Sequence, residues 1–273
     1  MVPFPNTIII FLSSFSIIGS IDLLLQSPEI SNPRPPSSTF IIDSFAGVWK
    51  ENVWKNHIYP FTVSLANVSI QSLLIETFAV PRLNTEYTIL NTLVAFYMYF
   101  LFQDFYFYIA HRLMHHPAIY KYTHKLHHEY KHPNICCSYY ENPIEHIIVW
   151  TTPYIILPHI IPIHQYAFWT FVFATTAFSI LGHNGKNYQE YIWYAGYIWT
   201  PATLNNYHQV CHAYHHDLHH VTTQYNYALY FTYWDRVFNT LHPTYDDYCH
   251  NLFYLRPQPQ PQPRLRPLAL INQ

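Results

Sequence analysis

Hydrophobic and polar positions in this chain fall into long apolar blocks rather than the short alternations of a sheet. Residues 1–21 carry no charged side chain, and residues 8–25 are long enough to reach across a bilayer with Asp22 at the interface. An uncleaved membrane-associated segment is expected, because no Lys or Arg precedes Arg34, and Ile17 and Ile18 stand where a signal-peptide cleavage site needs small residues. Residues 26–40, with Pro28, Pro33, Pro35 and Pro36, read as a linker that cannot hold a helix. Residues 56–75 are charge-free but dotted with Ser, Asn, Gln and Thr, a pattern that fits either a poor span or a helix packed against better ones. Residues 87–110 carry Asp104 as their only charge and predict a spanning helix that emerges at His111. Residues 146–185 contain no Asp, Glu, Lys or Arg and are interrupted by Pro153, Pro158 and Pro162, which predicts a tight helical hairpin. Each arm would just cross about 30 Å of hydrocarbon.

The expected fold is therefore all-α, with integral membrane helical hairpins and a histidine-rich helical cap. A hairpin over 146–185 returns the chain to the side it left, so the histidine-rich windows on either side of it share one face. Arg112, Lys121, Lys125 and Lys131 lie in the first window and Arg236, Arg256, Arg264 and Arg266 follow the second, which makes that face cytosolic by the positive-inside tendency. Three regions follow: a membrane-associated segment and linker over 1–55, a membrane-embedded domain over 56–255, and a Pro/Gln-rich tail over 256–273 expected to be a solvated polyproline II segment.

Composition sharpens this outline. The chain is 50% hydrophobic, 19% aromatic and only 10% charged, which argues against an ordinary soluble domain. Five glycines count against a dinucleotide-binding sheet or a phosphate loop, and a net charge of −2 offers no footprint for nucleic acid. Four cysteines, two of them adjacent at Cys136 and Cys137, have the spacing of neither a disulfide framework nor a zinc ribbon, which favours a reducing compartment for the working face.

The outlier is histidine, with 20 residues. His111 and His115 are four apart and would project from one face of a continuing helix. His124, His127 and His128 form H-x-x-H-H, and His216, His219 and His220 repeat it, so each triplet gathers on one helical stripe. Eight imidazoles exceed the positions around one ion and suit two. Neutral imidazole accepts Fe, Zn, Cu or Ni, so ligand type alone leaves the metal open. His116, His132, His208, His212, His242 and His250 lack the pattern and are read as bystanders. Ligating imidazoles need their second nitrogen held. Asp104, seven residues before His111, is a candidate acceptor beneath the first pair, and Asp217 lies inside the last motif. Glu129, Glu141 and Glu145 are read either as such partners or as ordinary charges.

The motifs H-R-L-M-H (111–115), H-K-L-H-H-E (124–129), H-N-G (183–185), H-H-D-L-H-H (215–220) and N-Y-A-L-Y-F-T-Y-W-D-R-V-F-N-T (226–240) together resemble the fatty acid hydroxylase and sterol desaturase superfamily, over roughly residues 95–242. Residues 104–112 and 124–130 are similar to sterol 4-methyl oxidases, and 215–220 with the following Y-F-T-Y-W-D to cholesterol 25-hydroxylases. The resemblance implies a multi-pass endoplasmic reticulum enzyme whose cytosolic face holds two histidine-ligated irons. It implies O2 as oxidant and electrons from NAD(P)H through cytochrome b5 and its reductase, with a sterol or fatty-acyl lipid as substrate. It adds His183 as a ligand and His215 as a further candidate, neither of which spacing selects. Two departures bear on the substrate rather than the metal: Asn142 replaces a frequent His before Pro-x-Glu, and Lys186 with Asn187 follows H-x-G where Tyr-Asp or Tyr-Asn is usual. Residues 269–273 carry no dilysine or KDEL-type signal, so the compartment rests on the resemblance and on hydropathy. A desaturase or aldehyde-processing enzyme on the same metal pair, and a non-catalytic metal-binding membrane protein, are the competing readings.

Overall fold

The computed structural model describes residues 6–25, 54–86, 88–183, 211, 213–247 and 249. The linker at 26–40, the tail at 256–273, Asn184 to Asn187, and His208, His212 and His250 lie outside the described residues. The chain divides into two compact units, Met1–His242 and Pro243–Gln273. In the second, the described residues form a short helical turn at 245–247.

Among the described residues of the first unit the regular structure is helical. The α-helices of five or more residues are α1 (Asn6–Leu25), α2 (Tyr59–Phe78), α3 (Ile89–Met114), α4 (Thr152–Ile160), α5 (Gln165–Gly182), α6 (Ala213–Thr222) and α7 (Tyr233–Val237). Two stretches are long and apolar enough to cross a membrane: Trp54–Arg82, which contains α2, and Ile89–Met114. Along α3 the side chains of Leu90, Val94, Tyr97, Leu101, Phe105 and Ile109 are all exposed at steps of three or four residues. A continuous apolar stripe of this length on the outside of a helix suits hydrocarbon and not water.

The composition of α2 fits the same solvent. Ser64, Asn67, Gln71 and Ser72 are buried while Ile70, Leu73 and Phe78 are exposed. The inward polar groups have work to do: Ser64 Oγ donates to the Cys136 carbonyl (3.1 Å), and Asn67 Nδ2 to the carbonyls of Tyr139 (3.0 Å) and Glu141 (2.8 Å). Four of the polar residues that left 56–75 undecided thus lie on the helix's contact face. Small polar residues inside and large apolar ones outside is how helices pack in lipid. α1 packs against α5 and α2, with Phe11 and Ile18 buried and Thr7 hydrogen-bonded to Ser72.

In the 146–185 tract the prolines do less than expected. A continuous helical run covers Pro143–His146, a π-helical turn Ile147–Thr151, and α4, and it passes through both Pro153 and Pro158. Pro153 supplies no N–H, and the hydroxyls of Thr151 and Thr152 donate to the carbonyls of His146 (3.2 Å) and Ile147 (2.8 Å) around the wide turn. The break comes only at residues 161–164, ahead of α5.

One end of the bundle is stitched. Asn84, between α2 and α3, exchanges backbone bonds with Ile163 and Gln165 at the α4–α5 turn (2.9 and 3.0 Å), and His164 Nε2 donates to the Thr85 carbonyl (3.1 Å). α3 and α5 therefore start side by side and run in the same direction. Phe171 of α5 fixes their register, edge-on to Tyr99 and Phe100 of α3 and to Tyr154 of α4 at centroid separations of 4.9–5.8 Å. At about 1.5 Å per residue both helices reach some 27 Å or more from the stitch. There they end at His111 and His115 on one, and His183 on the other.

Candidate metal centre

Among the described residues nine histidines converge at that far end, in two groups within each of which the candidate ligand atoms lie within 4.8 Å of one another: His111, His115, His124, His128 and His219, and His127, His183, His216 and His220. The local structures differ. His111 sits in the last turn of α3 and His115 caps it, while His183 caps α5. His216, His219 and His220 lie on α6 as the spacing predicts. The first H-x-x-H-H does not form an α-helix: His124 is in a run of turns and His127–Glu129 is a 3-10 turn.

Each H-x-x-H-H is divided between the groups. His124 and His128, four apart, enter the first group and His127 the second; His216 and His220, four apart, enter the second and His219 the first. The expectation that each triplet shares one stripe holds only for its i, i+4 pair. The middle residue points to the neighbouring group, so both segments knit the two together.

The nitrogens that face one another are Nε2 atoms. In the first group His124 Nε2 lies 3.0 Å from those of His111 and His128, and His219 Nε2 lies 3.0 and 3.1 Å from those of His115 and His128. In the second, His216 Nε2 lies 3.0 Å from that of His183 and 2.9 Å from that of His220, and His127 is 3.4 Å from His183. The opposite nitrogens donate elsewhere. His111 and His219 Nδ1 donate to the carbonyls of Tyr227 (2.9 Å) and Tyr225 (2.7 Å); His127, His183 and His220 Nδ1 donate to those of Tyr140 (3.3 Å), Ser179 (2.7 Å) and Tyr130 (2.9 Å). His124 Nδ1 pairs with the Glu145 carboxylate. A neutral imidazole that donates from Nδ1 presents a lone pair at Nε2. The centre is therefore two clusters of lone pairs pointing inward at separations that would repel. Around a cation with metal–nitrogen bonds of about 2.1 Å, adjacent ligands stand about 3 Å apart, so the donor sets fit metal ions.

Electrostatics agree. Burial, and then the neighbouring imidazoles, hold His124, His127, His216, His219 and His220 well below the ordinary imidazole range, and His128 down to about 3. These rings stay neutral and available as ligands at physiological pH. Burial, and then Glu141, push the Glu145 carboxyl well above the usual range.

The remaining sequence candidates have other partners. His215 lies outside both groups; its Nε2 donates to Asp235 Oδ2 at 3.0 Å. Asp104 does not hold His111, whose Nδ1 is taken by the Tyr227 carbonyl. Its Oδ1 accepts the backbone N–H of Tyr230 (2.9 Å) and Phe231 (3.4 Å), so a buried carboxylate in an apolar helix anchors a loop and not a ligand. Asp217 pairs with His132 at 3.4 Å, which gives one expected bystander a partner. Of the three glutamates, Glu145 holds His124, Glu141 holds His146 (2.6 Å), and Glu129 accepts from Tyr140 (2.8 Å). Asn142 begins the helix that carries Glu145, its Oδ1 accepting from Ile144 N at 2.9 Å.

Sequence reasoning missed Asp235. It is fully buried and accepts from Tyr227 N (2.9 Å), Ala228 N (3.0 Å), Thr240 Oγ1 (2.7 Å) and His215. Asn226, at φ 61°, turns the chain into this loop. The carbonyls that orient His111 and His219 thus depend on a carboxylate no ligand touches. Burial raises the Asp235 pKa, but the bonds from His215, Thr240 and Ala228 outweigh it and hold the carboxyl below its ordinary range. The one signal in the sequence was its place in the Y-F-T-Y-W-D run.

The histidines open onto a cavity. His111, His124, His127, His183, His215 and His216, with Glu141 and Glu145, line it together with Phe107, Val149, Trp150, Phe178, Leu229 and Tyr230, and its free volume is about 60 Å³. Of the aromatic wall residues suggested by the sequence, Phe107 lines this cavity, whereas Tyr97 and Phe100 line a separate apolar groove beside Phe105 and Trp234.

The fatty acid hydroxylase family model matches residues 96–240, which contain all nine converging histidines. The chain is 31% identical over 208 residues to a Dictyostelium discoideum protein provisionally named a methylsterol monooxygenase, covering 72% of each chain. It is 35% identical over 143 residues to methylsterol monooxygenase 1 of Rattus norvegicus, covering 50% of this chain and 43% of the relative. It is 30% identical over 151 residues to lathosterol oxidase of Homo sapiens, covering 55% and 46%. The chain thus spans less than half of the rat and human relatives. No solved structure is a significant match. With its matched segment coinciding with the histidine centre, the chain belongs to the fatty acid hydroxylase family and is an oxidoreductase.

Proposed function

We propose that this protein is a membrane-bound non-haem di-iron monooxygenase that uses O2 to hydroxylate or oxidise a sterol or fatty-acyl lipid. The observation that carries the reading is the pair of inward-facing Nε2 clusters, members of which line a small cavity together with Phe107, Val149, Trp150 and Phe178. His111, His115, His124, His128 and His219 would hold one iron and His127, His183, His216 and His220 the other. Such a pair supplies the oxidant that an unactivated C–H bond requires and that no side chain provides. The protein's part is placement and exclusion. The Nδ1 bonds of six of the nine rings fix their tautomer and aim, and Phe107, Val149, Trp150 and Phe178 line a small cavity of about 60 Å³ beside the imidazoles, into which only the reacting part of a substrate would reach.

The wider assignment follows the same reading: the endoplasmic reticulum membrane, multi-pass, with the histidine cap on the cytosolic face and electrons from NAD(P)H through cytochrome b5 and its reductase. Residues 56–255 would be the membrane-embedded hydroxylase domain, preceded by the segment 1–55 and followed by the tail 256–273. The sterol names among the relatives favour a sterol over a simple acyl chain.

The test is to express the wild type and His219→Ala in yeast and compare total lipids by untargeted mass spectrometry. A lipid heavier by one oxygen that depends on His219 is expected. A product lighter by two hydrogens would move the assignment to desaturation. Identical lipid profiles from abundant, iron-loaded protein would overturn catalysis on a yeast lipid in favour of a metal-binding scaffold.

A further inference from the structure

A cavity of about 60 Å³ cannot hold the hydrocarbon body of a lipid, which has to lie elsewhere while one carbon is oxidised. A far larger hollow lies next to it. A groove with a free volume of about 620 Å³ is walled by Tyr97, Leu101 and Phe105 of α3 and by Phe231, Tyr233 and Trp234. That size falls among pockets that enclose a small molecule, roughly 300–1,000 Å³. Tyr97, Leu101 and Phe105 belong to the exposed stripe of α3, so the groove opens to hydrocarbon and not to water. Asp104 is the one charged residue in its lining, and its carboxylate already accepts the backbone N–H groups of Tyr230 and Phe231 and a side-chain bond from Trp234.

The groove and the metal cavity share a wall. Phe105 lines the groove and Phe107 the cavity, two residues or about 3 Å apart along the axis of α3. On the facing side, Leu229 and Tyr230 line the cavity and the next residue, Phe231, lines the groove. The Tyr230 ring packs against Phe100, which also lines the groove, at a centroid separation of 5.4 Å. Resting on the reading of the histidine centre as a lipid-oxidising site, we propose that this groove binds the body of a sterol entering from the bilayer, with the carbon to be oxidised passing Tyr230 and Phe231 into the metal cavity. The rings of Phe105 and Trp234, 4.6 Å apart between centroids, and those of Phe100 and Phe231 give the groove broad aromatic faces that suit fused rings better than a thin acyl chain.

The test irradiates yeast membranes that contain the full-length protein and a sterol bearing a diazirine, and maps the labelled residues by mass spectrometry. Wild type is compared with Leu101→Trp and Met98→Trp, which fill the groove from exposed positions on its wall, and with Leu90→Trp, an exposed position of α3 outside its lining. Iron content, melting temperature and the His219-dependent product are measured alongside. Wild-type label is expected at 97–105 and 231–234, displaced by excess unlabelled sterol. Leu101→Trp and Met98→Trp should keep iron and melting temperature while label at 231–234 and product fall about tenfold, and Leu90→Trp should change neither. Label spread evenly along the exposed stripe of α3 in the wild type, and not displaced, would show ordinary bilayer lipid and overturn the proposal whatever the variants do. Label displaced by a free fatty acid and not by sterol would overturn the sterol as occupant. If the product depends on His219 but on neither Leu101 nor Met98, this inference fails alone. If displaceable label depends on Leu101 while no product depends on His219, the groove stands and the catalytic reading fails.

Discussion

The five-histidine and four-histidine groups draw on the same two H-x-x-H-H segments but are braced differently. In the group of five, His124 is held by a carboxylate, and His111 and His219 by carbonyls of a loop that Asp235 organises. In the group of four, His127, His183 and His220 are each held by a backbone carbonyl alone. The group of five thus has a spare ligand, and the group of four has no reserve.

That difference can be broken most directly at His216. His216→Ala leaves three ligands in its group and, on the proposed di-iron reading, should remove one of two irons and all product, by elemental analysis and lipid mass spectrometry. Loss of both irons would show the groups to be one cooperative unit. Next in size is Glu145→Gln, expected to weaken metal retention by roughly 10- to 100-fold in a chelator competition, confined to the group of five. An equal loss from both groups would contradict the separate bracing.

Asp235→Ala acts through the loop. It orphans the N–H groups of Tyr227 and Ala228, so a destabilisation of about 2–3 kcal/mol is expected in thermal melts, with iron lost from the group of five first. Because the folded Asp235 carboxyl is held below its ordinary value, its contribution is fully present above the unfolded pKa of about 3.9 and is lost as pH falls through the folded value. The wild type should lose stability more steeply below about pH 4 than the variant does. The smallest effect belongs to His115→Ala. His115 is the partly exposed member of the group of five, and four ligands remain, so both irons should be retained with reduced turnover.

Much of this was legible because its physics is local. An apolar block interrupted by one charge can only be a buried or lipid-facing helix, so α3 and its exit at His111 followed from residue order. Pairs four apart on a helix share a face, and both such pairs in the H-x-x-H-H motifs do share a group. The polar residues of α2 were ambiguous because their purpose lies some seventy residues away, in the carbonyls of Cys136, Tyr139 and Glu141. Asp104 was assigned to the ligand one helical stripe above it, when its partners are amides 126 and 127 residues on. A carboxylate in an apolar segment announces that it needs donors, and cannot say which.

The sequence by itself determined that this is a helical chain with membrane-length apolar segments and a histidine set too large for one ion. Those properties depend on side-chain chemistry and on spacings within a turn or two of helix. Only the tertiary structure decided how nine imidazoles divide five and four, that His215 braces Asp235, and that Asp104 anchors the backbone of Tyr230 and Phe231. Each of these depends on which distant backbone groups meet once α3 and α5 are set in register by aromatic packing and the stitched turns. Helical periodicity fixes the direction of a side chain, but not what stands opposite it.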